Sequence, residues 1–380
     1  MTTIYKEALN ILTKRGVKFV EKFTPKLLCS YATHIANLEN HERKFYLEHD
    51  RVPDLRLHIM LVAPPGFYKS TCMKQLMHPD YGLLYTNDVP MRFEGFSTES
   101  GMIGSLERSG KTTERVPGLF EEFKTGIVGI EEFFAITQSM SQSHSSHLEP
   151  ALNQALLDGD VRKRLRGGVI EYETSLTMWG GTQTTRFEVA GGLVRRILAE
   201  IWTPTDAEKN ELKQALRQGI NLSLNPKILE DFRSTVHKFT QDMKIIKEIT
   251  YTDNLFDYVQ EAPHYRIPTL LKLALGYALL NEPIDRKFIV DVNSEVKKMV
   301  DDTEHDRKVL IGDPEGDMII SIINDHGGHL SRHSIKEEMI DFSVRYETSD
   351  GLITKLVGQR ELMWDRATDT VYTPTAWKGK

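Results

Sequence analysis

Cysteine is nearly missing from this chain of 380 residues: Cys29 and Cys72 are the two it has. Thiols so few and so far apart supply neither a four-cysteine zinc site nor a disulfide framework. Long apolar runs are missing as well. None approaches the roughly 20 residues needed to span a bilayer, and the start, MTTIYKEALNILTKRG, lacks the apolar centre of a secretory leader. These absences predict a cytoplasmic protein with no membrane partner. There is no excess of positive charge either. With 48 Lys and Arg against 54 Asp and Glu, the net charge is −6, so nucleic-acid contact requires a local basic feature. What is there is an ordinary globular composition, 40% hydrophobic and 27% charged, in a chain long enough for two or three domains. There is no internal repeat, and the one biased stretch is the Ser/His/Gln-rich run 138–147.

Residues 1–52 read as a polar, mostly helical segment with Thr24-Pro25 as a helix start. LRLHIMLVA (55–63) is short, apolar and followed by Pro-Pro-Gly, which predicts a buried strand, and 69–78 then reads as a helix. GIVGIE (126–131) is a second buried strand. Leu148, Leu152, Ala155 and Leu156 form a helical stripe over 148–158, and 161–173 reads as a hairpin turning at Gly167-Gly168. Further strands are expected at 176–180 and 197–202. Strands alternating with helices predict an α/β fold with a parallel sheet. From Pro204 to about residue 302 the pattern is helical, and Asp313-Pro314 marks a boundary. Beyond it come helix, helix and a short hairpin made from ITKLVG and TVYTPT, an order similar to a winged helix. The expected domains are an N-terminal helical segment (1–52), an α/β core (53–205), a helical region (206–312) and a winged-helix-like domain (313–380).

Residues 63–71 read Ala-Pro-Pro-Gly-Phe-Tyr-Lys-Ser-Thr, between a strand and a helix. A phosphate loop needs backbone N–H groups curled around oxyanions at a helix N-terminus, a lysine for the terminal phosphates and a hydroxyl for Mg²⁺. Lys69 and Ser70 suit the last two roles, Gly66 allows the tight turn, and Pro65, Phe67, Tyr68 and Thr71 complete the segment expected to hold ATP. The pattern departs from the usual one at Ala63, in place of the first glycine, and at Tyr68, in place of the glycine before the lysine. Strand 126–131 runs into Glu131-Glu132. In a P-loop ATPase the next-door strand ends in acids, one organising Mg²⁺ and the other polarising the attacking water. Glu131 takes the metal role and Glu132 that of catalytic base. A glutamate is longer than the usual aspartate there.

In order and spacing, these segments resemble the AAA+ core of the minichromosome maintenance (MCM) replicative helicases over about residues 55–300. IMLVAPPGFYKS (59–70) is similar to that family's phosphate loop, and GIVGIEEFFAI (126–136) to its metal-binding strand. GFSTESGMIGSLE (95–107) sits where the family has its helix-2 insertion. LVRRILAEI (193–201) resembles the segment carrying the trans-acting arginine finger, and RIPTLLKLAL (266–275) the lid helix. The resemblance implies a helical lid over 206–312, Arg196 as the finger with Arg195 as the other choice of register, and Arg266 near the second-sensor arginine. Where the family has a first-sensor asparagine, this chain runs into Gly181-Thr182-Gln183, so Thr182 or Gln183 would position the attacking water. Ile197 replaces the phenylalanine after the finger. Some 50 N-terminal residues with one cysteine cannot supply the family's DNA-binding barrel, which suggests a reduced relative.

A finger acting from a neighbour implies a homo-oligomeric ring, hexameric by the resemblance. The densest local charge in the chain, Arg162, Lys163, Arg164 and Arg166, precedes the sensor strand. There the family projects a hairpin into the ring channel, and phosphate contacts from these residues would bind DNA with little sequence preference. A second pore candidate is 96–115, with Arg108, Lys111 and Arg115. Residues 313–380 carry twelve acids against eight lysines and arginines, which is unusual for a DNA-gripping module, although Arg332, His333 and Lys336 cluster on a possible recognition helix. His144 and His147 have metal-like spacing without a second ligand pair and read as a Ser-rich loop. Three functions are compatible with these features: an ATP-driven DNA helicase or translocase in replication, a replication initiator or helicase loader using ATP as an assembly switch, and a protein remodeller that ignores DNA.

Overall fold

A computed structural model describes residues 3–39, 44–45, 54–95, 98–109, 112–133, 136, 148–157, 159–165, 168–183, 196–218, 226–260, 262, 266–311, 314–341, 346–358 and 362–377. The chain divides into two compact units, Met1–Glu304 and His305–Lys380. Among the described residues no helix is long and apolar enough to cross a membrane.

In the first unit, helices α1 (Ile4–Lys14) and α2 (Val20–Leu38) precede strands β1 (Lys44–Phe45) and β2 (His58–Val62). Helix α3 (Lys69–Met77), β3 (Met91–Glu94), α4 (Glu99–Ile103), the hairpin β4–β5 (Gly104–Ser109, Thr112–Pro117), α5 (Leu119–Glu122) and β6 (Ile127–Ile130) follow. Helix Leu148–Leu157, the hairpin β7–β8 (Asp160–Leu165, Gly168–Glu173), β9 (Thr177–Thr182) and β10 (Ile197–Ile201) come next. Five of these strands form a wholly parallel sheet in the order β10–β2–β9–β6–β3. Strands β2, β6 and β9 are buried along their whole length. That matches their continuous apolar runs, since a parallel sheet is covered on both faces. Strand β3, reading MRFE, was not foreseen: it is a half-polar edge whose apolar–polar alternation runs for four residues, the shortest length at which alternation signals a strand.

The N-terminal segment corrects its sequence reading. Thr24-Pro25 starts no helix; α2 begins at Val20 and carries Pro25 in its second turn. The helix is not a polar appendage. Most of its residues are buried, and it packs along helix Ile267–Asn281 so closely that a Cβ on Gly276 would stand 2.4 Å from the Cys29 carbonyl oxygen. Glycine is required there for the two backbones to approach. A buried ion pair, Lys26 with Glu200, ties α2 to the edge strand β10. The largely helical region after Pro204 also contains two short strands, Glu248–Tyr251 and Lys287–Val290, which join β1 in a parallel three-stranded sheet.

The second unit runs helix Pro314–Asp325, strand His329–Ser331, helices Arg332–Asp341 and Tyr346–Gly358, then the antiparallel pair Met363–Asp365 and Thr370–Tyr372. Strand His329–Ser331 pairs with Thr370–Tyr372 to make a three-stranded sheet. ITKLVG is therefore helical, not the strand its β-branched residues suggested. Ile353 and Leu356, three apart and on one helix face, pack with Ile319, Ile323, Ile335 and Met339.

Two histidines at the base of the parallel sheet are buried and neutral. His34 bonds the Thr177 hydroxyl through Nδ1 (2.9 Å) and the Thr125 carbonyl through Nε2 (3.2 Å). His58 accepts the Met178 N–H at Nδ1 (3.1 Å) and bonds the Leu156 carbonyl through Nε2 (3.0 Å). Burial pushes their pKa values down to about 4 and about 3. Below pH 6.5 the unfolded chain takes up protons at these rings while the folded chain does not, so stability falls as pH drops from 6.5 toward 4. Urea unfolding at pH 7 and pH 5 should show a lower midpoint at pH 5, and His34→Gln should flatten that dependence while lowering stability at pH 7.

Candidate phosphate-binding site

Strand β2 ends at Val62, and the chain turns through 63–68 into α3. Gly66 (φ +81°) and Tyr68 (φ +51°) are both left-handed, curling the backbone into a turn that feeds the helix N-terminus. Lys69 opens the helix. Its Nζ donates to the carbonyls of Ala63 (2.7 Å) and Pro64 (2.9 Å), and the residue is 9% exposed. Burial pulls its pKa down to about 8, opposed by Glu132 and Glu131. A buried ammonium whose hydrogen bonds, among the described residues, go to neutral carbonyls at a helix N-terminus is set up for an anion. Ser70 and Thr71 follow on the first turn, half-buried, while Pro65 and Gly66 are exposed. Phe67 sets its ring edge-on to Trp202 at 5.3 Å.

Tyr68 answers the question its position raised. A residue with a Cβ occupies the left-handed conformation at a cost of about 1–2 kcal/mol, and its ring is buried in the main hydrophobic core, packing that offsets the strain. With the ring removed only the strain remains. Tyr68→Gly should therefore be more stable than Tyr68→Ala by about 1 kcal/mol in chemical denaturation, the reverse of the usual helix ranking.

The acids follow β6, and here the topology corrects the expectation of adjacency. Strand β6 is not next to β2, because β9 lies between them. At about 4.8 Å per strand spacing, the loop strand and the acid strand are about 10 Å apart. Thr182 ends the intervening strand with its Oγ1 buried and, among the described residues, without a hydrogen-bond partner, while its carbonyl accepts the Ala63 N–H at 3.3 Å. Half-buried Gln183 comes next. A Cβ on Gly181 would lie 2.9 Å from the Glu131 carbonyl, so this glycine lets the acid-bearing turn close on β9. Glu131 Oε2 meets Lys74 Nζ of α3 at 3.3 Å, a partner that only the topology reveals. Gly66–Thr71, Glu131, Glu132, Thr182 and Gln183 thus gather at the carboxyl ends of the parallel strands, where open α/β sheets bind ligands. The buried Lys69, the left-handed turn and the orphaned Thr182 hydroxyl suit a phosphate chain, and the Ser70 hydroxyl with the Glu131 carboxylate is an oxygen set suited to Mg²⁺.

The two arginines lie elsewhere. Arg196 immediately precedes β10, and Ile197 is in register with His58 at the start of β2. It stands at the end of the sheet opposite the phosphate loop, about 17 Å away along five residues of strand. Arg195 lies outside the described residues. Arg266 is buried at the start of helix Ile267–Asn281 and donates from Nε to Glu304 at 3.1 Å.

Strand alternation separates the basic hairpin into two faces. Arg162 and Arg164 point outward, with Arg162 3.6 Å from Glu171 on the facing strand. Lys163 points inward, 12% exposed, and pairs with Glu99 of α4. Its charge is taken up by that pair, unlike those of its outward neighbours, and the sequence run hid this because consecutive strand residues face opposite ways. Arg166, and Gly167 at the expected turn, lie outside the described residues. The second pore candidate, 96–115, falls largely on α4 and the β4–β5 hairpin, which packs beside β8; Arg115 donates to the Glu171 carbonyl (3.2 Å) and pairs with Glu121 (2.8 Å). Lys111, the Arg108 side chain, His144 and His147 lie outside the described residues. In the second unit, Arg332 and Lys336 are no free basic cluster. Both pair with Asp350 (2.9 Å each), and Arg332 also lies over Trp364. His333 pairs with Glu337 at 3.2 Å. No family model matches the chain, and no curated protein matches it in sequence.

Proposed function

We propose that the first unit is an AAA+-type ATPase core resembling that of the MCM helicases, and that it acts as an ATP-driven DNA motor in a ring of identical subunits. One observation carries the reading: a phosphate-type loop and a pair of acids at the carboxyl ends of a parallel sheet, separated by a strand whose own end is polar and unsatisfied. In this reading the backbone N–H groups of 66–71 and the Lys69 ammonium grip phosphate oxygens. Ser70 and Glu131 hold Mg²⁺, which supplies neutralisation of phosphate charge. Glu132 accepts a proton from the attacking water, and Thr182 or Gln183 orients that water across the gap above β9. The position of Arg196 at the far end of the sheet supports a finger that serves a neighbour, and hence a ring, hexameric by the MCM resemblance. The helices after Pro204 act as lid, with Arg266 as second sensor. The helix–strand–helix–helix–strand–strand order of the second unit supports a winged helix. DNA contact narrows to the outward Arg162 and Arg164, with Arg166. The Lys74–Glu131 ion pair favours a second reading, in which slow turnover makes ATP an assembly switch of an initiator or loader.

Trans action gives the decisive test. Glu132→Gln and Arg196→Ala proteins should each lose about 10³-fold or more in ATP turnover, and mixing the two should restore a measurable fraction, because mixed rings pair an intact site with an intact finger. Failure of the mixture to recover, or normal turnover by Lys69→Ala, sinks the assignment. For the motor, single-stranded DNA should stimulate ATPase in a salt-dependent way. Arg164→Ala should weaken that stimulation without loss of stability, whereas Lys163→Ala should lower the unfolding midpoint, since it leaves Glu99 unpaired.

A further inference from the structure

Lys74 stands four residues beyond Ser70 on α3. Residues so spaced share one helix face, with Cβ atoms about 5–6 Å apart, and helical side chains lean toward the N-terminus. The Lys74 ammonium is thus carried back along the face that presents the Ser70 hydroxyl. There it meets Glu131, with Nζ 3.3 Å from Oε2. The backbone bearing this acid is held on both sides. On one, the Glu131 N–H donates to the Glu94 carbonyl and the Glu132 N–H to the Gly95 carbonyl, at 2.9 Å each. On the other, the turn closes on Gly181, where a Cβ would stand 2.9 Å from the Glu131 carbonyl oxygen. The freedom left to Glu131 is that of its side chain, and Lys74 holds the carboxylate. Lys74 has a second partner within reach: the same Nζ lies over the Phe93 ring of β3, 4.7 Å from its centroid. Ser70 and Glu131 are also the oxygen set suited to Mg²⁺, so the ammonium and the metal call on one carboxylate.

We propose that Lys74 is a positioning residue of the metal site: its ammonium competes with Mg²⁺ for Glu131, and when the metal takes the carboxylate the ammonium is left with the Phe93 ring. The inference rests on the reading of 63–71 as a phosphate loop, and adds to it a built-in counter-ion that weakens metal binding. The side chains of Lys74 and Glu131 are 39% and 34% exposed. Solvent therefore screens the pair, and the competition is worth about two- to fivefold in metal affinity.

The test is equilibrium binding of a fluorescent, non-hydrolysable ATP analogue to the full chain, in saturating Mg²⁺ and in EDTA. The ratio of the two affinities isolates the metal, because a change of packing alters both alike. Lys74→Met should raise that ratio about two- to fivefold over wild type. Lys74→Arg, which can still pair with Glu131, should leave it near the wild-type value. In a Glu131→Gln background Lys74→Met should not change the ratio, since the coupling is between these two side chains. A ratio unmoved by Lys74→Met overturns the proposal. So does a lowered one, which would mean that Lys74 turns the acid toward the metal, and so does an equal rise in the Glu131→Gln background, which would be a general effect of charge. Lys69→Ala separates this outcome from failure of the site itself: it should lose the analogue in both conditions. If it binds as tightly as wild type, or if wild type binds in neither condition, the phosphate-loop reading fails and the proposal with it. Should Lys74→Met not fold, Lys74→Gln takes its place with the same expectations.

Discussion

The first unit is organised around the buried guanidinium of Arg56. It donates to the carbonyls of Ala155, Leu157, Thr174 and Leu176 and to the Asp54 carboxylate. Two of those carbonyls are orphans at the end of helix Leu148–Leu157, which the helix cannot satisfy itself, and His58 takes a third from Leu156. The other two belong to the turn between the β7–β8 hairpin and β9. Lys272, on the helix that packs against α2, donates to the Arg56 carbonyl. One side chain thus sets the helix, the hairpin and the start of the sheet in register. The Arg56–Asp54 pair is compensated both electrostatically and by hydrogen bonds, the condition under which a buried charge is tolerated.

That hub lies at the amino ends of the strands, and the candidate phosphate-binding residues lie at the carboxyl ends. The separation gives the unit two working faces. At one, the backbone turn of Gly66 and Tyr68 presents N–H groups near the acids after β6. At the other, Arg196 and the root of the basic hairpin sit beside the same buried network. A site completed by a neighbour's arginine needs these faces apart, because a finger reaching its own loop would make assembly irrelevant to catalysis.

Much of the fold was legible in the chain because its central strands are buried on both faces. HIMLV, IVGI and the run through Met178 and Trp179 show as apolar blocks that need no partner to be recognised. Loop residues 63–71 were legible for a similar reason, since their chemistry is local. Edges and interfaces were not. MRFE has too little apolar surface to show as a strand, ITKLVG has β-branched residues inside a helix, and the burial of α2 depends on Gly276, more than two hundred residues away. The four basic residues 162–166 read as one patch because a linear run carries no record of which way each side chain points.

The sequence by itself determined the α/β class, the phosphate-type loop and the acid pair, since each is encoded in contiguous residues whose spacing and polarity fix their local structure. Tertiary structure decided the rest. Strand β9 was placed between the loop and the acids, which opens the gap a phosphate and a water would need. Arg196 was set at the opposite end of the sheet, Lys163 was turned inward to Glu99, and Asp350 was paired with both Arg332 and Lys336. Strand order, the direction of a side chain and the partner of a charge are properties of surfaces brought together by folding. No window of sequence contains both halves of such a contact.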